Sequence, residues 1–180
     1  GKTSFHASLI AGPGGFAHQG AQCIILCNEE SGKRVGERYL NAASGMSRYE
    51  ISDEFTKASA KYYPISQNIK IKECQGRDMA WGESVCKSYR PDILVLDMGD
   101  KFSAGGNYAR PDEALKACAI YARQIAKTYD CAVFYMSQLS ADAEGRAQLN
   151  QSMMEGSRTG KAAEADLMLL IGKSPSVEGQ

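Results

Sequence analysis

The stretch Ile93-Leu94-Val95-Leu96-Asp97 is the clearest buried strand of the chain, and it decides the predicted fold. Its four apolar residues lack the polar alternation of a half-exposed strand, which indicates a strand covered on both faces, as in a parallel sheet. Similar apolar runs occupy 21–27 and 132–136. We therefore expect these strands to lie side by side in the interior of one sheet.

Helical patterns fill most of the chain between the apolar runs. Short apolar strands that alternate with helices favour right-handed crossovers and an open sheet. The expected fold class is α/β, with a mostly parallel, twisted sheet and helices on both of its faces. The predicted helices span 3–11, 33–43, 50–61, 77–89 and 111–129, and two further strands are predicted at 69–71 and 165–171.

The composition is that of a folded protein. Of the 180 residues, 43% are hydrophobic and 23% are charged, which excludes a disordered chain. Lys plus Arg and Asp plus Glu both number 21, so the balance of charge excludes a strongly basic nucleic-acid binder, although single positive loops can still act. We expect one domain over 1–180, cut at both ends because the sequence starts inside a motif.

The six cysteines form no C-x-x-C pair, and several of them lie inside apolar runs. This pattern favours small buried residues of an intracellular protein over a disulfide or zinc framework. No signal peptide and no apolar run of membrane-spanning length is found in the sequence,.

The opening tripeptide Gly1-Lys2-Thr3 has the form of a P-loop as it enters its helix. Backbone N–H groups at such a helix start face an anion, the ammonium of Lys2 reaches the outer phosphates, and the Thr3 hydroxyl can ligate Mg²⁺. The full motif also needs an earlier glycine and a preceding strand. The tripeptide therefore carries weight only together with residues elsewhere in the chain.

Polar residues follow the predicted strands at the points where the strands end. Ligands of open parallel sheets sit beyond the carboxyl ends of the strands. There Asp97 has the position of a Walker B acid, and Glu29 or Glu30 is placed to orient or deprotonate an attacking water. Gln138, after the next strand, is expected to contact a γ-phosphate. Together these strand ends predict nucleotide hydrolysis.

In these motifs the chain resembles the RecA-like motor domain of DnaB-type replicative helicases, phage forms in particular. The Ser-Gln-Leu and Ala-Asp-Leu segments are the most specific, because they lie outside the motifs shared by all P-loop proteins. The matching segments are Gly1-Lys2-Thr3, Asn28-Glu29-Glu30-Ser31, the strand ending at Asp97, Ser137-Gln138-Leu139, and 155–161 leading into Glu164-Ala165-Asp166-Leu167.

The resemblance implies a RecA-like P-loop NTPase that couples ATP hydrolysis to translocation on single-stranded DNA and to duplex unwinding. The implied cofactors are ATP and Mg²⁺. The implied partners are single-stranded DNA, copies of the chain in a hexameric ring, and a primase or helicase loader, with no membrane. The implied location is the cytoplasm of a bacterial cell or phage-infected host.

The resemblance also assigns residues to the nucleotide site and to DNA. The nucleotide site takes Gly1 and Lys2 at the phosphates, Thr3 and Asp97 at the metal, Glu29 as the favoured catalytic glutamate, Gln138 as γ-phosphate sensor, and Glu30 as a second acid. Two loops, 101–110 and 140–154, match loops that hold single-stranded DNA in this family. Their cations are Lys101, Arg110 and Arg146, which suit phosphate contacts, while Arg158 and Lys161 would approach DNA or a neighbouring subunit's nucleotide.

Two other functions remain open at this stage. A RecA- or RadA-type recombination or repair ATPase shares the sheet and the tandem acids, and a nucleotide-binding assembly module could keep the fold without hydrolysis. The region in which the family carries its arginine finger is also absent from the sequence. We therefore expect the isolated chain to hydrolyse ATP poorly or not at all.

Overall fold

A parallel sheet forms the centre of the molecule. The computed structural model describes residues 1–156 and 158–172, with the backbone alone at Arg158. Within this part the strands are β1 (Cys23–Cys27), β2 (Ile69–Glu73), β3 (Ile93–Asp97) and β4 (Ala132–Tyr135). They pair in the order β2-β1-β3-β4, all in parallel.

Helices cover both faces of this sheet, as the sequence predicts. Because successive strand residues point to opposite faces, Ile25 and Val95 pack on one side, while Ile24 and Leu94 pack on the other. The described helices are α1 (Lys2–Ala11), α2 (Gly32–Ser44), α3 (Arg48–Asp53), α4 (Phe55–Ser66), α5 (Met79–Tyr89), α6 (Pro111–Tyr129) and α7 (Arg158–Ala162). The first core includes residues of α1, α2 and α4, and the second includes residues of α5 and α6.

The strand register places the last residues of β1, β2 and β3 side by side. Cys27 at the end of β1 pairs with Glu73 on one side and with Asp97 on the other. The strands β3 and β4 also run in parallel and in register, with Leu96 opposite Tyr135. The segments that follow β1, β3 and β4 therefore leave the sheet at the same edge.

The predicted helix at 50–61 is wrong in its bounds. Two helices, α3 and α4, occupy this region, and the backbone of Glu54 between them departs from helical geometry (φ −119°, ψ 41°). A capping box between Ser47 and Glu50 starts the first helix,. Pro64 lies in the last turn of α4, where the carbonyl that it leaves unpaired belongs to exposed Ala60,.

The predicted strand at 165–171 is also wrong. No strand forms between 163 and 172, and Leu167, Leu169 and Ile171 are exposed. Among the described strands β4 pairs with β3 alone, so the segment has no strand ladder to supply its backbone hydrogen bonds. Gly172 instead lies against the backbone of loop 140–154 at Arg146 and Ala147. The final stretch, 173–180, lies outside the described residues.

The cysteines and the lengths of the helices can also be compared with the sequence analysis. All six cysteines are free and buried, which confirms the prediction of buried small residues. In the described part, no helix has the length and apolar character needed to cross a membrane.

Candidate functional site

The first turn of α1 lies against the end of β3. The Thr3 hydroxyl donates a hydrogen bond to Oδ2 of Asp97 at 2.9 Å, across 94 residues of sequence. Lys2 and Thr3 are the first residues of the helix, and the amide of Phe5 closes its first turn on the carbonyl of Gly1. The fold thus brings Thr3 into contact with Asp97, which of the three predicted acids is the farthest from it in the sequence.

Asp97 is held as a buried carboxylate. It is only 4% exposed, and burial alone would raise its pKa. Hydrogen bonds from His6 and Thr3 and the positive charges of His6 and Lys2 outweigh that effect, so the pKa of Asp97 lies below its ordinary value,. The carboxylate is therefore ionised at neutral pH.

The oxygen atoms at this point fit Mg²⁺. Mg²⁺ prefers oxygen ligands, and in nucleotide sites it takes one or two from the protein and the others from water and phosphates. Among the described residues no group of three or more His, Cys, Asp or Glu side chains is arranged to hold a metal by itself. A Thr3 hydroxyl that donates to Asp97 keeps its own lone pairs for a cation, so the pair suits a metal that arrives with a nucleotide.

The two acids after β1 have different partners. Arg38 on α2 holds the carboxylate of Glu30 through both oxygens at 2.8 and 3.1 Å, and it also reaches Ser4 on α1 at 3.4 Å. Glu29 is more exposed, and its carboxylate meets the ammonium of Lys101 at 3.3 Å. Glu30 is thus engaged in a contact between helices, whereas the partner of Glu29 among the described residues, Lys101, lies half in solvent.

Asn28 fixes the position of these acids relative to β3. Its side-chain amide donates to the carbonyl of Met98 at 3.1 Å and accepts from the amide of Met98 at 2.8 Å. Its own backbone amide donates to the carbonyl of Asp97 at 3.0 Å. The turn that carries Glu29 is therefore tied to the turn that follows Asp97.

A buried cluster around Asp100 holds the end of β4. The Asp100 carboxylate accepts from the Ser137 hydroxyl at 2.6 Å and from the backbone amide of Gln138 at 3.1 Å. Lys161 of α7, which is 5% exposed, pairs with the same carboxylate at 3.1 Å and with the Ser137 hydroxyl at 2.8 Å. The side-chain amide of Gln138 forms no hydrogen bond with another described residue.

Loop 140–154 begins and ends at this cluster. Leu139 and Met154 form an antiparallel bridge. The amide of Ser140 donates to Met153 at 2.7 Å, and the amide of Glu155 donates to the carbonyl of Gln138 at 3.1 Å. A displacement of this loop would therefore act directly on the backbone of Gln138.

The structure places the predicted DNA-contacting cations in different environments. Lys101 pairs with Glu29, Arg110 is exposed and pairs with Asp112 at 2.7 Å, and Arg146 is exposed in loop 140–154. Lys161 is buried in the Asp100 cluster, a placement that argues against DNA contact. The side chain of Arg158 lies outside the described residues.

Several residues of the site escaped prediction from the sequence. His6 could have been predicted, since it lies three residues after Thr3 on the predicted helix at 3–11. On a helix, a spacing of three places two side chains on the same face. Asp100 lies in the turn after β3 and could not be placed by such a spacing. Tyr39, whose hydroxyl meets His6 at 2.9 Å, carried no such signal, because its position depends on how α2 packs.

Comparison with known proteins identifies the fold. No family model and no curated protein matches the chain. A solved structure described as an ATPase domain is 19% identical, with a TM-score of 0.77, over 92% of this chain and 63% of that chain. A second, described as a DnaB-like replicative helicase and its interactions with primase, is 18% identical, with a TM-score of 0.70, over 83% of this chain and 40% of that chain.

The chain thus spans less than two thirds of the length of either structure. At these identities the likeness concerns the fold. It confirms the predicted α/β, RecA-like architecture, and the chain has the fold of a DnaB-type helicase motor domain.

Proposed function

From this shared fold, we propose that the chain is the motor domain of an ATP-dependent replicative DNA helicase. The motor couples ATP hydrolysis to translocation on single-stranded DNA and to duplex unwinding. The observation that carries the proposal is the contact of the Thr3 hydroxyl with Asp97 at 2.9 Å. It joins the start of α1 to the end of β3, and Glu29 and Gln138 leave the sheet at the same edge.

Each residue of this edge has a chemical task. Bound Mg²⁺–ATP supplies the phosphoryl group that is transferred to water. Gly1 and Lys2 bind the phosphates through a backbone amide at the helix start and an ammonium group, and Thr3 and Asp97 hold the metal. Glu29 orients the attacking water and accepts its proton.

Glu29 suits this task better than Glu30. A general base must be free to approach the water that it deprotonates. Arg38 occupies both oxygens of Glu30, whereas Glu29 meets only the exposed Lys101 within the part of the chain that the structure describes. We assign Glu30 to holding α2 against α1 at the rim of the nucleotide site.

Gln138 is proposed to report the γ-phosphate to the DNA-binding loops. Its side chain is available for a ligand, while its backbone is bonded both to Asp100 and to the end of loop 140–154. In loop 101–110 and loop 140–154, Lys101, Arg110 and Arg146 are the proposed contacts to DNA phosphates.

The assembly proposed is a hexameric ring in the cytoplasm of a bacterial cell or phage-infected host. An arginine supplied by a neighbouring subunit would complete each site by stabilising charge in the transition state. A primase or a helicase loader is the proposed further partner, in line with the primase named for the second solved structure. We expect the isolated chain to hydrolyse ATP poorly, since a single copy lacks that arginine.

Substitutions in the full-length protein test the proposal. We expect Lys2→Ala to weaken ATP binding, and Glu29→Gln to retain binding but to lower hydrolysis by roughly 10²–10⁴-fold, the loss typical of a missing base. Glu54→Gln, in the exposed turn between α3 and α4, is the matched control and should leave both unchanged. ATP binding is measured by fluorescence titration, and hydrolysis by phosphate release.

Two results would contradict the proposal. Unchanged ATP turnover in both Lys2→Ala and Glu29→Gln would show that the site is wrong. Normal turnover without displacement of a strand from a forked substrate with a 5′ tail would favour a recombination or repair ATPase instead.

A further inference from the structure

His6 and Tyr39 extend the site into the protein interior. Both side chains are fully buried. The Nε2 atom of His6 lies 3.2 Å from Oδ2 of Asp97, and its Nδ1 atom lies 2.9 Å from the hydroxyl of Tyr39. The three polar groups form one chain that runs from α2 through α1 to the end of β3.

The chemistry of Asp97 requires a proton on Nε2 of His6. Asp97 is an ionised carboxylate and can only accept, so Nε2 must carry the proton. Burial, followed by the negative charges nearby, raises the pKa of Tyr39 well above its ordinary value. Tyr39 therefore stays a phenol, and its hydroxyl is the hydrogen-bond partner of Nδ1.

His6 and Thr3 act on the same atom. They are three residues apart on α1, which places them on one helix face, and both donate to Oδ2 of Asp97. The Oδ1 atom accepts no hydrogen bond from any described residue. Two donors at one oxygen fix the rotation of the carboxylate, and the other oxygen stays available.

We propose that His6, itself oriented by Tyr39, is a positioning residue that holds the Asp97 carboxylate in its metal-binding orientation before nucleotide arrives. This inference rests on the proposed function, because it takes Asp97 to be a ligand of the nucleotide-bound metal. Residues that hydrogen-bond to a metal ligand and fix its orientation contribute to metal affinity. Their loss commonly lowers metal affinity by about 10- to 100-fold.

Two substitutions of His6 separate positioning from packing. In His6→Gln the amide nitrogen takes the place of Nε2 and keeps a donor towards Asp97. In His6→Asn the amide takes the place of Nδ1, which keeps a partner for Tyr39 but loses the donor. Both remove ring volume from the same buried position, and His6→Asn removes one methylene group more than His6→Gln. Thermal unfolding of the two variants measures the effect of that packing difference separately from metal binding.

Metal binding is measured in the full-length protein without turnover. Mn²⁺ is titrated against the protein with a non-hydrolysable ATP analogue, and free Mn²⁺ is followed by electron paramagnetic resonance. We expect His6→Asn to weaken Mn²⁺ binding by about 10-fold and His6→Gln to remain within about 3-fold of the unsubstituted protein. Tyr39→Phe should fall between them, because it frees the imidazole to turn.

Nitrogen-15 NMR of the imidazole provides a readout that needs no nucleotide. We expect Nε2 of His6 to carry a proton, as a donor to Asp97 must. An Nε2 atom without a proton in the unsubstituted protein, or equal Mn²⁺ affinity in His6→Asn and His6→Gln, would overturn the inference.

The Asp97→Asn variant distinguishes this inference from the proposed function. If Asp97→Asn weakens Mn²⁺ binding while the two His6 variants behave alike, the positioning role alone fails. If Asp97→Asn leaves Mn²⁺ binding unchanged, the metal site and the proposed function fail together. Thermal unfolding of each variant identifies any that does not fold. If a His6 variant does not fold, the Mn²⁺ affinity of Tyr39→Phe, which removes only one hydroxyl, is compared with that of the unsubstituted protein instead.

Discussion

At the scale of single residues, the pair of Glu29 and Lys101 stands out. Lys101 is a cation of a proposed DNA-binding loop, and Glu29 is the proposed base, yet at 3.3 Å each neutralises the other. A carboxylate held by an ammonium group is less free to approach the water that it must deprotonate. DNA phosphates that attract Lys101 would release Glu29, which would make hydrolysis depend on DNA.

The substitution Lys101→Ala tests this dependence in the full-length protein. An exposed ion pair contributes about 0.2–1 kcal/mol, so we expect ATP hydrolysis without DNA to rise about 1.4- to 5-fold. The stimulation by single-stranded DNA should shrink. Hydrolysis is measured at saturating ATP with and without DNA, with Lys116→Ala on the exposed side of α6 as control. Equal basal rates in the two variants would contradict the idea.

At the scale of elements, the Asp100 cluster decides how α7 and loop 140–154 attach to the sheet. Lys161 brings the charge of α7 to a carboxylate that also holds Ser137 and the amide of Gln138. Burial makes this pair different from a surface pair. The loss of one partner leaves the other charge buried without compensation.

We therefore expect Lys161→Met to lower the free energy of unfolding by about 3–5 kcal/mol. The double variant Asp100→Asn with Lys161→Met should recover part of that loss, because no uncompensated charge remains. Urea unfolding followed by circular dichroism measures both. Lys57→Met breaks an exposed pair with Glu54 and serves as control, with no change expected in its midpoint. A single variant as stable as the control would show that the pair is not buried in solution.

At the scale of the whole molecule, the cysteines report on the packing of both cores. Burial, as the largest cause, raises the pKa of Cys23 and Cys74 to about 12 and of Cys27 and Cys118 to about 11. Cys23 and Cys27 line one face of the sheet, and Cys74 and Cys118 line the other. Protection of all four thiols therefore requires that both layers of helices are in place.

We expect these four thiols to resist alkylation at pH 8, where about one in a thousand or fewer is a thiolate. Iodoacetamide labelling, located by mass spectrometry, should proceed only after guanidinium is added. The pKa of each thiol is raised by folding, so stability should fall as the pH rises from about 8.5 towards 11–12. Rapid labelling of any of the four in the native protein would contradict the packing.

The sequence by itself determined the sheet and most of its helices, because unbroken apolar runs such as 93–96 can be buried only between two layers,. It also determined which side chains gather at the strand ends, since parallel strands end at one edge. It failed at 165–171, where an apolar run lacks a strand ladder to join, and at Glu54, where a backbone break divides a helical pattern. Apolarity is a property of the segment, but hydrogen-bonded pairing needs a neighbour.

The tertiary structure alone decided the partners of each polar group. It gave Glu30 to Arg38 and left Glu29 to Lys101, buried Lys161 against Asp100, and placed His6 between Tyr39 and Asp97. These contacts join residues up to 91 positions apart. Their energies depend on distance and burial, which no local pattern encodes, so the sequence could name the acids of the site but not the residues that hold them.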